Sequence, residues 1–84
     1  MNTLEVKVHK ILIQEWDPIG VKDIPEAHDE YDMYVSGICR MLRAGQSSAE
    51  IYSHLRWIET ERIGLDGNEQ HTHRIAAKLF GLVR

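Results

Sequence analysis

At 84 residues with a net charge of −3, the chain reads as one domain over 1–84, because a hydrophobic core needs on the order of 50 residues and splitting sets in only well above this length. The single cysteine, Cys39, excludes an intrachain disulfide scaffold, and no apolar run approaches the ~20 residues of a membrane-spanning helix. With no charged-then-apolar leader and an acidic balance, the expectations are a cytoplasmic location, no membrane partner and no nucleic-acid partner.

Four helical segments separated by turn signals predict an all-α, four-helix bundle-like fold. The first runs from about Thr3 to Trp16, with Asn2 and Glu5 spaced as a capping pair and Leu4, Val8, Ile11 and Leu12 on one face. Val6 and Ile13 then fall on the far side. The same stretch also fits a half-buried strand, since Leu4, Val6 and Val8 alternate with Glu5, Lys7 and His9. A long connection follows, containing both prolines. Its opening, Asp17-Pro18-Ile19-Gly20, has the residues of a type I turn: Asp to accept a backbone N–H, Pro with its fixed φ, and Gly last. Trp16, immediately before, is expected to anchor the segment in the core.

The second segment, about Asp29 to Ala44, carries Tyr31, Tyr34, Val35, Ile38 and Leu42 on one stripe, and Gly45 stands where a left-handed C-terminal residue belongs. Asp29 and Asp32 have the spacing of an N-cap and the third residue of the first helical turn, where acids also complement the helix dipole. Cys39 flanks the stripe as a small hydrophobe. Met33, Gly37 and Met41 form an off-stripe row in which Gly37 would admit another backbone. The third segment opens on Ser47 and Glu50, a capping-box spacing, and continues through Ile51, Leu55 and Ile58 to Gly64. Trp57 lies off that stripe and is expected to meet a second packing neighbour. After the turn residues Leu65-Asp66-Gly67-Asn68, the fourth segment presents Ile75, Ala76, Leu79, Phe80 and Val83 to close the core.

Charge is concentrated in the long connection. Between Glu15 and Asp32 there are seven acids and one base, a local charge of −6 that leaves +3 for the rest of the chain. Such polarity steers a basic partner to one side of a molecule. The competing explanation is a solvated loop beside two helix ends. The acids lack the alternation, central Gly and closing Glu of a calcium loop. A small bundle without an evident cleft gives two carboxylates little depth for acid–base work. His71 and His73 stand about 200° apart on a helix and cannot chelate one ion together. His28 and His54 have no partner legible in the sequence. No metal, no cofactor and no catalytic residue is therefore expected. Arg40, Arg43, Arg56, Arg62 and Arg74 are scattered without an aromatic platform, which disfavours nucleic acid further.

Taken together, Trp16-Asp17-Pro18-Ile19-Gly20 and Asp29-Glu30-Tyr31-Asp32 resemble the paired motifs of a family of small bacterial helical proteins, over roughly residues 4–60. Some related proteins are immunity proteins of contact-dependent growth inhibition systems. The resemblance implies a non-enzymatic helical domain that occupies a basic toxin domain, such as a nuclease. The partner-binding candidates are Asp23, Glu26, Asp29, Glu30 and Asp32. Of these, Asp23, Glu26 and Glu30 are the freer, because Asp29 and Asp32, like Asp17, have turn or capping duties. The alternative is a cytoplasmic interaction domain or homodimer using the spare apolar rows at Val6 and Ile13, Met33 and Met41, and Trp57.

Overall fold

The computed structural model describes residues 3–64 and 68–83. The capping residue Asn2 and the turn residues Leu65, Asp66 and Gly67 lie outside them. Four α-helices, α1 (Thr3–Ile11), α2 (Asp32–Arg43), α3 (Ser48–Trp57) and α4 (Glu69–Phe80), build an all-α bundle. No strand occurs among the described residues.

The first segment is helical rather than extended. Val8 is fully buried, Leu4 is half-buried and Val6 faces solvent, the 100° rotation of a helix instead of the two-residue alternation of a strand. After Ile11 the chain widens into a π-turn, Leu12–Trp16, closed by the Asp17 N–H donating to the Leu12 carbonyl at 2.9 Å. A five-residue step takes more chain per turn, so Leu12, Ile13 and Trp16 all point inward. The expectation that Ile13 lies on the far side with Val6 is thereby corrected. α3 ends the same way: Ile58–Arg62 forms a second π-turn, closed by the Ile63 N–H on the Ile58 carbonyl at 2.9 Å.

The capping box that begins α3 forms as its spacing predicts. Ser47 accepts from the Glu50 N–H, and the Glu50 carboxylate accepts from the Ser47 N–H and Oγ. α4 starts on Asn68, whose side chain accepts from the His71 N–H at 3.1 Å. α2 differs from expectation. It begins at Asp32 with Tyr31 in the cap position and no side-chain cap bond, because Asp29 sits in a preceding turn where its backbone carbonyl receives the Asp32 N–H. Gly45 follows α2 at φ +76°, the left-handed conformation glycine adopts without strain.

α3 packs chiefly on α4 and α1 on α2. The core joins Val8, Leu12, Trp16, Tyr31, Ile38, Cys39, Leu42, Ile51, Leu55, Ile58, Ile75 and Leu79 in one cluster. Each large aliphatic buried there contributes roughly 1.5–3 kcal/mol relative to exposure. Cys39 is fully buried, and burial pushes its thiol up, which suits a packing role. A radius of gyration of 11.8 Å is what close packing of a chain this long produces.

Two surface expectations are overturned, at Trp57 and Val83, while Gly37 stays open to a neighbour. Trp57 is 47% exposed. Its ring neighbours among the described residues come from its own helix and the π-turn after it: the Arg62 guanidinium lies 5.8 Å from its ring and His54 stacks 6.2 Å away. Gly37 meets no close neighbour, since nothing lies within 4 Å of where its Cβ would stand. Val83 leaves the fourth stripe because the helix tightens into a 3-10 turn, Gly81–Val83, and exposes it.

Candidate functional site

The long connection is ordered by one carboxylate. Asp17 adopts a left-handed conformation, φ +32°, which Asp tolerates better than most residues. From there its Oδ1 accepts from the Val21 N–H at 2.8 Å and its Oδ2 from the Lys22 N–H at 3.1 Å. The Tyr31 hydroxyl donates to Oδ1 at 2.9 Å and accepts from the Ile19 N–H at 3.2 Å. The two sequence motifs are thus physically one structure: the corner at 17–20 is tied to the start of α2. Trp16 packs into the same corner, its ring tilted against Tyr31 at 5.4 Å and edge-on to Tyr34 at 6.4 Å.

Behind that corner lies a buried polar centre that sequence reasoning missed. Glu59 is only 2% exposed. Its Oε2 accepts from Trp16 Nε1 at 2.6 Å and from Thr72 Oγ1 at 2.8 Å, while Oε1 pairs with Arg56 Nη1 at 2.9 Å. Trp16 and Glu59 come from the two π-turns. A charged residue among "IETER" looks like a solvated face at 100° per residue, and the only available signal was that Trp16 needs an acceptor once buried. This centre is closed to solvent and serves structure.

The connection then presents its acids outward. A short 3-10 helix, Pro25–Ala27, precedes α2, and His28 Nε2 donates to the Lys22 carbonyl at 2.6 Å. A carbonyl can only accept, so this contact sets the proton on Nε2. Beside it opens a shallow cleft of about 490 Å³ lined by His9, Pro25, Glu26, His28, Asp29 and Asp32. This shallow depression, not evident in the sequence, lies at the junction of α1 with the start of α2. His9 Nδ1 lies 3.0 Å from Asp32 Oδ1, yet off the line a hydrogen bond requires.

Of the five acids expected to meet a partner, Glu26, Asp29 and Asp32 are brought together here. Asp23 and Glu30 are exposed but outside the lining. The division of labour expected from the sequence is also corrected. Asp17 is consumed by the turn, whereas neither Asp29 nor Asp32 caps α2; both carboxylates line the cleft, that of Asp32 beside His9. His28 and His9, unassigned in the sequence, frame it. Among the described residues, no group of three or more His, Cys, Asp or Glu side chains is placed to hold a metal ion. The chemistry on offer is recognition of a cationic group. None of the described helices is long and apolar enough to cross a membrane.

No protein-family model, curated protein or solved structure matches the chain. Its function must be argued from the cleft itself.

Proposed function

We propose that this protein is a non-enzymatic, immunity-type binding protein that neutralises a cognate bacterial toxin domain by forming a stoichiometric complex in the cytoplasm. The observation that carries the reading is the cleft, where Glu26, Asp29 and Asp32 converge beside His9 and His28. Exposed Ile24 and Met33 are chain neighbours of the lining residues Pro25 and Asp32. Acidic groups with apolar neighbours fit the usual division of a protein interface, in which charge speeds encounter and desolvated apolar contacts hold the complex. Each exposed carboxylate contributes only about 0–1 kcal/mol through an ion pair. The apolar neighbours must supply most of the affinity. The paired motifs resemble a family of small bacterial helical proteins, some relatives of which are immunity proteins, and this supports the same direction.

The test is co-expression with a toxin domain encoded beside this protein. Growth arrest should be relieved, and the relief should weaken when Glu26, Asp29 and Asp32 are replaced by their amides. Persistent arrest with the unmodified protein, or the absence of any neighbouring toxin gene, would sink the proposal.

One observation favours a second reading, a self-associating interaction domain. Met33 is 65% exposed and Trp57 is 47% exposed, and exposed Met and Trp are side chains that a second copy would cover. Light scattering of the purified protein decides this: a strict monomer at high concentration removes the homodimer.

A further inference from the structure

We propose that a second concavity, where the π-turn after α1 meets α4, binds a small oxyanion, with phosphate as the favoured group. It is about 330 Å³ in volume and lined by Glu15, His71, Arg74, Ile75 and Lys78. His71, Arg74, Ile75 and Lys78 recur at three- and four-residue spacing, so α4 aligns them along one face. The site lies outside the acidic cleft and shares no residue with it.

Its internal contacts leave positive charge over. Lys78 Nζ pairs with Glu15 Oε1, and His71 Nε2 donates to the Glu15 backbone carbonyl at 2.6 Å. Glu15 is the sole acid in the lining, and its carboxylate is already engaged. Arg74 has no ion-pair or hydrogen-bond partner among the described residues. A guanidinium presents planar paired donors matched to two oxygens of a phosphate or carboxylate. Lys78 adds an ammonium with donors beyond the one directed at Glu15. A tetrahedral phosphate can meet the Arg74 fork and the Lys78 ammonium at once, which a carboxylate with two oxygens does less well. Buried Ile75 forms an apolar wall, and charge interactions beside such a wall are screened less than in open water. His71, held by the Glu15 carbonyl, fixes the π-turn after α1 against α4 and so keeps the two sides of the concavity in place.

Two-dimensional ¹H–¹⁵N NMR of the full chain tests this, with inorganic phosphate, sulfate and acetate titrated at constant ionic strength. Phosphate should give saturable shifts at Glu15, His71, Arg74 and Lys78 and leave Asp29 and Asp32 unmoved. Sulfate should follow it, with acetate weaker. Arg74→Gln should weaken phosphate binding about tenfold, the loss expected for a charge-assisted hydrogen bond. Because Arg74 is exposed, this variant retains the fold, which its thermal unfolding verifies. Lys78→Met should weaken binding as well. Shifts that grow linearly without saturating, or R74Q binding phosphate as tightly as the parent protein, overturn the site; equal affinity for acetate overturns the choice of phosphate.

Discussion

At the scale of single residues, Glu59 and Tyr31 carry the most consequence. The Glu59 carboxylate satisfies Trp16, Thr72 and Arg56 together. Glu59→Ala leaves the buried Trp16 indole N–H without its acceptor, since Thr72 Oγ1 retains the Asn68 carbonyl at 3.0 Å, and such a change costs about 1–3 kcal/mol. Urea unfolding should show that loss, and a change below about 1 kcal/mol would mean that the centre is not structural. Tyr31 links the corner at Asp17 to α2. Burial raises its phenol well above the ordinary value of 10.0; the Ile19 N–H opposes this, while Asp17 and Glu30 add to it. The folded state therefore holds the phenolic proton more tightly than the unfolded chain does. The associated stability is complete below about pH 10 and is lost as pH rises toward the raised native value. Tyr31→Phe should be about 1–3 kcal/mol less stable at neutral pH and should decline less steeply above pH 10. Urea midpoints across that range measure both effects, and parallel pH dependences for the two proteins would rule out the linkage.

At the scale of elements, helix starts are unequal. α3 has a complete capping box and α4 an Asn cap, whereas α2 begins without a side-chain cap. Removing either cap, as Ser47→Ala or Asn68→Ala, should cost about 1 kcal/mol in chemical denaturation. The α3 box was legible because its chemistry is local: Ser and Glu three residues apart meet whenever a helix begins there. The π-turns ending α1 and α3 were not legible. They are five-residue steps imposed by what each segment must reach, and no composition at Leu12–Trp16 or Ile58–Arg62 marks them. The same limit explains Ile13, whose inward orientation follows from the extra residue in its turn.

At the scale of the whole molecule, charge is divided between two places. Acids gather where α1 meets α2, and surplus cations gather where the π-turn after α1 meets α4. If the acidic cleft meets a basic partner, the triple change Glu26→Gln, Asp29→Asn and Asp32→Asn should lower the association rate about tenfold at low salt. It should also flatten the dependence of that rate on ionic strength while leaving dissociation nearly unchanged. Stopped-flow association at several salt concentrations measures this, and an unchanged salt dependence would show that the cleft is not the contact.

The sequence alone determined the elements whose causes lie within a few residues of one another: the stripe on α2, the Ser47–Glu50 box, the turn at Asp17–Gly20, the inward Trp16 and the clustering of acids before α2. Periodicity, capping and turn chemistry act over one or two helical turns, so they can be read along the chain. Only the tertiary structure decided what depends on distant residues meeting. It joined Trp16 to Glu59 across 43 positions, tied Tyr31 to Asp17 and left Trp57 exposed. It also relieved Asp29 and Asp32 of capping so that they face a cleft with His9. Those outcomes rest on satisfying buried donors and filling space between segments, requirements that no segment can express until its neighbours are in place.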